Sequence, residues 1–225
     1  MSWLVHLYTA SGAVMAFLAA VDSAAGHTRA AFLWLALAVL VDATDGWAAR
    51  RARVAERLPW FDGALLDNLV DYTTYVFVPV LLMRNLQLVP EAWSLPAGAA
   101  ILLASAYGFS RRDAKTDDHF FTGFPSYWNI VVFYLWLARW PAMANLAILL
   151  GLVALVFVPI RWVYPSRTEP MRRVTLSLGA VWTVQVGWML VQAPDVSARL
   201  LVWSLVFPGY YAILSGALSL RRWRP

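Results

Sequence analysis

The sequence predicts an all-α protein, a polytopic bundle of about eight transmembrane helices. Apolar residues make up 61% of its 225 residues, and the mean hydropathy of +0.60 exceeds that of ordinary soluble domains. Apolar stretches long enough to cross a bilayer, which takes about 17 to 25 residues, recur from one end of the chain to the other. No internal repeat or low-complexity segment divides them, so a single domain over residues 1–225 is predicted.

The predicted spans follow one another in chain order. They are residues 3–21, 29–49, 63–83, 95–110, 126–138, 143–163, 174–192 and 199–219. Polar residues open the first span, among them His6, which serves either as an interface anchor or as a contact for a lipid head group. No cleavable signal peptide is predicted, because this stretch lacks a basic start and a small-residue cleavage site. The absence of cysteine excludes disulfides and thiolate chemistry.

The distribution of basic residues predicts which way the bundle faces. An even number of spans puts both termini on one side. Fourteen of the 18 Lys and Arg residues fall at one set of helix ends: Arg50, Arg51, Arg53, Arg57, Arg111, Arg112, Lys115, Arg161, Arg167, Arg172, Arg173, Arg221, Arg222 and Arg224. Only Arg29, Arg84, Arg139 and Arg199 fall at the other. Since basic residues stay cytoplasmic, both termini are predicted to face the cytosol, and the net charge of +5 requires no nucleic acid.

Four aspartates stand on two neighbouring spans beside a basic connection. Asp42 and Asp45 lie three apart in the second span, and Asp67 and Asp71 lie four apart in the third, so each pair is expected on one helix face. A carboxylate within a membrane costs about 2.5 to 3.5 kcal/mol, so four of them need positive charge nearby. Oxygen ligands without Cys or His favour Mg²⁺ or Mn²⁺. The alternative is ion pairing with Arg50, Arg51, Arg53 and Arg57.

A longer pattern surrounds these aspartates. It reads Asp42-x2-Asp45-Gly46-x2-Ala49-Arg50, then Gly63-x3-Asp67-x3-Asp71. The pattern resembles the signature of the CDP-alcohol phosphotransferases, integral membrane enzymes that make phospholipid head groups. The spacer 51–62 is longer than in most of that family and resembles the bacterial phosphatidylcholine synthase branch, as do the segments VHLYTASG near the amino terminus and FTGFPSYWN before the fifth span.

The resemblance implies a reaction and a set of site residues. It implies two divalent metal ions, Mn²⁺ or Mg²⁺, held by the four aspartates Asp42, Asp45, Asp67 and Asp71, the last of which also acts as general base. The nucleotide would be held at Gly46, Ala49, Arg50 and Gly63, although small residues are equally typical of close helix packing. The implied reaction transfers the phosphatidyl group from CDP-diacylglycerol to choline and releases CMP.

The resemblance also implies a location and partners. The protein is expected in the bacterial inner membrane, surrounded by membrane lipids, with an active site that opens to the cytosol. A homodimer is expected only by analogy with families of this kind.

Choline carries a quaternary ammonium group that donates no hydrogen bond, so aromatic faces are expected to recognise it. The aromatic residues at the cytoplasmic ends of spans three to five are Tyr72, Tyr75, Tyr107, Tyr127 and Trp128. The alternative for each of them is the aromatic belt that lines any membrane interface.

Two polar connections leave further alternatives open. In residues 111–129, Gly123 and Pro125 predict a turn. The charged residues of that connection either touch substrate or are simply solvated: Asp113, Asp117, Asp118 and His119. The arginines of the later connection either hold a diphosphate or only enforce topology: Arg161, Arg167, Arg172 and Arg173.

Three other functions are compatible with parts of this pattern. A phosphatidylserine or phosphatidylglycerophosphate synthase of the same family would need added basic groups for its acceptor. A cation transporter could use the same carboxylates, but transporters usually bind ions at the bilayer midplane between inverted repeats. A head-group-binding scaffold without turnover would keep the metal site and need no general base.

Overall fold

The computed structural model describes residues 2–114, 116, 118, 120–165 and 168–222, and these residues are mostly helical. The first half contains α1 (Ser2–Ala24), α2 (Thr28–Arg51), α3 (Val54–Arg57), α4 (Gly63–Asp71), a π-helical turn (Tyr72–Phe77), α5 (Val78–Asn85) and α6 (Glu91–Ser110). The second half contains β1 (Phe120–Thr122), α7 (Trp128–Ala138), α8 (Ala142–Phe157), β2 (Arg161–Val163), α9 (Arg172–Gln192), α10 (Ala198–Ser204) and α11 (Val206–Arg222).

The predicted all-α membrane bundle is confirmed, but its spans differ in length from the prediction. Six helices among the described residues are long and apolar enough to cross a membrane: Ser2–Ala24, Thr28–Arg51, Gly63–Asn85, Glu91–Ser110, Arg172–Gln192 and Ala198–Leu220. The predicted spans 126–138 and 143–163 correspond to the shorter helices α7 and α8. The second of these predictions is wrong at its end, because α8 stops at Phe157 and the chain continues into β2.

The core lies mainly between the helices from α1 to α8. Fully buried side chains fill it, including Leu82, Ile101, Trp128 and Leu149. The last two long helices are far less covered by the rest of the protein, since only 17% and 11% of the residues in their apolar stretches are buried. Val184 on α9 and Ile213 on α11 are exposed, as expected of side chains that contact lipid rather than water.

Close packing of α1 against α4 depends on one glycine. A Cβ atom at Gly12 would lie 2.5 Å from Cγ1 of Val70, closer than two carbon atoms can approach. The absence of a side chain therefore lets α1 rest on α4, where the second pair of aspartates stands. This contact brings the start of the chain next to the acidic residues.

A proline explains the π-helical turn that follows Asp71. Pro79 has no N–H to donate to the carbonyl of Tyr75 four residues earlier, and its ring crowds that carbonyl in a regular α-helix. The helix widens instead, and the N–H of Val78 donates to the carbonyl of Thr73, five residues back. The wider turn changes the direction in which the residues after Asp71 point.

A two-stranded antiparallel sheet, which the sequence did not predict, joins the two polar connections. Its register pairs Phe120 with Val163, Phe121 with Trp162 and Thr122 with Arg161. The predicted turn after β1 is present at Gly123, which has a φ of +82° and packs against the backbone carbonyl of Val156. The sheet therefore holds the connection before α7 against the end of α8.

Candidate active site

Three of the four predicted aspartates meet at one end of the bundle. Asp42 comes from α2, and Asp67 and Asp71 come from successive turns of α4, four residues apart on one face. One carboxylate oxygen from each lies within 4.8 Å of the other two, and all three side chains are half-buried. Such a set of oxygen donors fits a hard divalent cation such as Mg²⁺ or Mn²⁺.

Asp45 lies outside this group of three, contrary to the expectation that it shares a face with Asp42. Three residues advance a helix by about 300°, so the two side chains point about 60° apart. Asp45 turns toward α1, where it is 7% exposed and its Oδ2 accepts a hydrogen bond of 2.8 Å from Oγ1 of Thr9. Its role as a fourth ligand stays a prediction.

Tyr75 fixes the position of Asp42. Its hydroxyl donates a hydrogen bond of 2.7 Å to Oδ2 of Asp42. The π-helical turn carries Tyr75, which is 9% exposed, so the tyrosine side of the bond is shielded from water. Partners of this kind orient the carboxylates that bind metal ions in proteins.

A cleft of about 410 Å³ opens beside the three aspartates. Helices provide Asp42, Ala64, Asp67, Asn68, Asp71, Tyr75, Gly108 and Phe109. The sheet and the connections provide Arg111, Arg112, Ala114, Phe121, Thr122, Gly123, Phe124, Pro125, Ser126, Tyr127, Tyr164 and Pro165. The volume is typical of pockets that bind small molecules. Carboxylates, guanidinium groups and aromatic rings thus share one cavity.

The residues that the resemblance assigns to the nucleotide lie outside this cleft. Arg50 is exposed and lies over Gly46, where a Cβ would be 3.3 Å from Nη1 of Arg50. A Cβ at Gly63 would lie 2.9 Å from Cε1 of His6, so the imidazole ring fills the space beside that glycine. Ala49 is half-buried on the same helix as Gly46. Nucleotide binding by these residues stays a prediction.

Two of the five aromatic candidates line the cleft, Tyr75 and Tyr127. The other three do not. Tyr72 donates its hydroxyl to the carbonyl of Leu102, 3.0 Å away, and Trp128 is fully buried with Nε1 bonded to Oγ of Ser105 at 2.8 Å. Tyr107 is exposed and packs on Phe157. The alternative of an interfacial aromatic belt fits Tyr107, whereas Tyr72 and Trp128 have structural roles inside the bundle.

Sequence reasoning missed several residues of the lining, namely Asn68, Arg111, Arg112, Phe121 and Tyr164. Asn68 follows a motif aspartate, and that position alone could have indicated it. Phe121 and Tyr164 come together only through the sheet. Asp113 accepts two hydrogen bonds from Arg111, of 2.8 and 2.6 Å, and this guanidinium holds the pKa of the Asp113 carboxyl below its ordinary value.

The remaining basic candidates are distributed away from the aspartates. Nη1 of Arg161 forms an ion pair of 2.7 Å with Oδ2 of Asp118. Arg172 and Arg173 begin α9 and line a separate shallow depression. None of the four arginines considered as ion-pair partners, Arg50, Arg51, Arg53 and Arg57, lines the cleft. Lys115, Asp117, His119 and Arg167 lie outside the described residues.

Asp62 caps the start of α4. Its Oδ1 accepts a hydrogen bond of 2.9 Å from the N–H of Leu65 at the start of α4. This bond satisfies one of the free amide groups of the first turn. Asp62 is therefore a structural carboxylate, although it stands only five residues before Asp67.

Comparison with known proteins relates this chain to a family. The sequence model of the CDP-alcohol phosphatidyltransferase family matches residues 5–160 of the chain. The chain is 35% identical to the phosphatidylcholine synthase of Pseudomonas aeruginosa over 223 residues, 99% of this chain and 93% of that protein. It is 39% identical to the phosphatidylcholine synthase of Legionella pneumophila, with coverage of 95% and 87%. For the phosphatidylcholine synthase of Rhizobium johnstonii the identity is 36%, with coverage of 96% and 89%.

Proposed function

Because the chain belongs to the CDP-alcohol phosphatidyltransferase family, we propose that it transfers the phosphatidyl group of CDP-diacylglycerol to choline and releases CMP. The observation that carries the proposal is the convergence of Asp42, Asp67 and Asp71 in a cleft that also contains aromatic rings. The carboxylates suit the diphosphate chemistry of the donor, and the rings suit an acceptor that is a quaternary ammonium.

Members of this family generally depend on divalent metal ions, and the three carboxylates are the residues that would hold such ions here. All the donors are oxygens, which suits Mn²⁺ or Mg²⁺ rather than zinc or copper. When bound, the metal ions would neutralise the diphosphate of the donor and the negative charge that develops on the departing CMP. Tyr75 keeps Asp42 in position through its hydroxyl.

Asp71 acts as the general base of the transfer. The choline oxygen attacks the phosphorus atom that carries the diacylglycerol, the bond from this phosphorus to the CMP oxygen breaks, and the hydroxyl proton moves to the Asp71 carboxylate. Asp67 stands one turn earlier on α4 and serves as a ligand. Asp45 would complete the ligand set by turning away from Thr9.

The arginine distribution supports an orientation in which the cleft opens to the cytosol. The cleft lies where α2 ends and α4 begins, the same end of the bundle that carries most basic residues. In a bacterium we expect the site at the inner face of the cytoplasmic membrane, where the donor's acyl chains stay in lipid and choline arrives from water.

An acceptor panel tests the proposed function. Purified protein is assayed for CMP release from CDP-diacylglycerol with choline, serine or glycerol 3-phosphate, each with and without Mn²⁺. We expect release with choline and metal only. An Asp67→Asn variant, which keeps the shape of the side chain, controls for contaminating activity. Release with serine or glycerol 3-phosphate instead would assign the other acceptor, and no release with any acceptor would remove the transferase function.

A further inference from the structure

The cleft contains aromatic pairs that the metal chemistry does not use. The rings of Tyr75 and Tyr127 have centroids 6.0 Å apart and are tilted by 53°. The rings of Phe121 and Tyr164 are stacked, with centroids 4.8 Å apart and an interplanar angle of 30°. All four rings line the same cavity as the three aspartates. The second pair comes entirely from the sheet and its edge.

The position of these two rings follows from the strand register. Phe121 pairs with Trp162, and Tyr164 lies two residues after Trp162, so Phe121 and Tyr164 are diagonal neighbours on one face of the sheet. Phe121, Tyr127 and Tyr164 are half-buried, whereas Trp162 and Phe124 beside them are buried. All three half-buried rings line the cleft.

Hydrogen bonds to α11 hold β2 in place. The N–H of Val163 donates to Oγ of Ser215 at 3.1 Å, and the N–H of Arg161 donates to Oγ of Ser219 at 2.7 Å. The hydroxyl of Tyr211 donates to the carbonyl of Val163 at 3.0 Å. With β1 on one edge and side chains of α11 on the other, β2 has little freedom to move. The backbone beside Tyr164 is thus held in place before any ligand binds.

We propose that Phe121, Tyr127 and Tyr164 form an aromatic box that binds the quaternary ammonium group of choline, and that the sheet sets acceptor specificity. This inference rests on the proposed function, because only such an acceptor requires ring faces instead of hydrogen-bond partners. The bidentate pair with Asp113 offsets the charge of Arg111, which weakens one repulsion of the ligand. Arg112, also in the lining, is left to face the phosphates of the donor.

The box and the three aspartates line the same cleft, as an acceptor as short as choline requires. Two carbon atoms separate its hydroxyl from its ammonium group, so the two recognition sites must be adjacent. Tyr75 links them, since its hydroxyl is bonded to Asp42 while its ring neighbours that of Tyr127. A choline molecule with its ammonium against Tyr127 would therefore have its hydroxyl near the carboxylates.

Acceptor kinetics of ring-deleted variants test the box. We expect Phe121→Leu and Tyr164→Leu each to raise the KM for choline by about 2-fold to 30-fold, the range that corresponds to one lost cation–π contact. The KM for CDP-diacylglycerol should stay within about twofold. Phe157→Leu is the matched control, because Phe157 is an exposed ring at the same end of the bundle but outside the cleft. It should leave both constants unchanged.

A neutral isostere separates recognition of charge from recognition of shape. 3,3-Dimethyl-1-butanol replaces the ammonium nitrogen of choline with carbon, and the protein should prefer choline to it. That preference should shrink in Phe121→Leu. If the leucine variants misfold, Phe121 replaced by trifluorophenylalanine keeps the ring shape while it weakens the negative face, and the preference should shrink there as well.

The outcomes distinguish the two proposals. If the unaltered protein releases no CMP with choline, the proposed function fails, and the box fails with it. If choline is used but the ring variants keep the choline KM and the preference over the isostere, the box alone is overturned. A raised choline KM with a reduced preference, and an unchanged Phe157→Leu control, supports the box.

Discussion

At the scale of single residues, Asp71 is the carboxylate whose replacement tests the chemistry most directly. It contributes one oxygen to the group within 4.8 Å. We expect Asp71→Asn to lower turnover by a factor of about 10² to 10⁴, because an amide cannot accept the hydroxyl proton. Binding of CDP-diacylglycerol should persist, since Asp42 and Asp67 remain. CMP release at saturating substrate and calorimetric titration of the donor measure the two effects.

Asp62→Asn provides the matched control for this prediction. Asp62 caps α4, and asparagine caps a helix about as well as aspartate, so activity should be retained. Loss of donor binding together with turnover in Asp71→Asn would limit Asp71 to holding metal or structure. An active Asp71→Asn protein would exclude the general-base role.

Tyr75 offers a second residue-scale prediction, about metal affinity. Tyr75→Phe keeps the ring but removes the hydroxyl that holds Asp42 at 2.7 Å. Loss of such a partner typically weakens metal binding by about 10-fold to 100-fold, so more Mn²⁺ should be needed for half-maximal binding and CMP release. Electron paramagnetic resonance of free Mn²⁺ measures the affinity without turnover.

Tyr72→Phe controls for the loss of any tyrosine hydroxyl from the π-helical turn. Tyr72 donates to the carbonyl of Leu102 and does not line the cleft, so Mn²⁺ affinity should stay unchanged. Equal Mn²⁺ affinity in Tyr75→Phe and the unaltered protein would show that the bond to Asp42 does not position a ligand.

The aspartates also show how far residue spacing predicts a site. Asp67 and Asp71 could be predicted to share a face, because four residues nearly complete a turn. The three-residue step from Asp42 to Asp45 leaves the side chains about 60° apart, and the neighbouring helix then decides which partner each meets. The hydroxyl of Thr9 on α1 donates a hydrogen bond to Asp45, and nothing in the local residue spacing indicates that contact.

At the scale of elements, the anchoring of β2 on α11 carries a stability prediction. Ser215 is 0% exposed, and Ser215→Ala removes the hydroxyl that accepts the hydrogen bond from the N–H of Val163. A buried donor left without a partner costs about 1 to 3 kcal/mol, so the apparent Tm in detergent should fall by several degrees. The choline KM should rise too, because β2 helps to position Tyr164.

Ser177→Ala is the corresponding control, since Ser177 is exposed on α9. Its Tm and choline KM should match those of the unaltered protein. The same Tm for Ser215→Ala and Ser177→Ala would mean that the bond to Val163 contributes nothing to stability, and that the sheet is held by strand pairing alone.

The elements differ in how much the sequence reveals about them. Long apolar stretches predict the membrane helices because the bilayer imposes their length and composition. The strands have only three residues each and pair across a wide separation in the chain, so they leave no periodic pattern. A proline inside a predicted helix does not by itself indicate a π-helical turn. At Pro79 the turn also depends on how the neighbouring helices are packed.

At the scale of the whole molecule, charge and not packing predicts the side of the membrane on which the cleft opens. The same bundle would be equally well packed in either orientation, but basic residues cluster at the end that contains the cleft. Translocation of so many arginines is disfavoured, which predicts a cytosolic site. The orientation is therefore a prediction from the sequence, whereas the assembly of the cleft became visible only through the contacts between helices and sheet.

Cysteine labelling tests this orientation, because the chain contains no cysteine of its own. Glu56 in α3 is exposed at the cleft end, and Glu91 is exposed at the opposite end, where α6 begins. In intact bacterial cells with a permeable outer membrane, an impermeant maleimide should label Glu91→Cys and spare Glu56→Cys. Inside-out membrane vesicles should reverse the result. Labelling of Glu56→Cys in intact cells would place the cleft outside the cytosol, away from choline taken up by the cell.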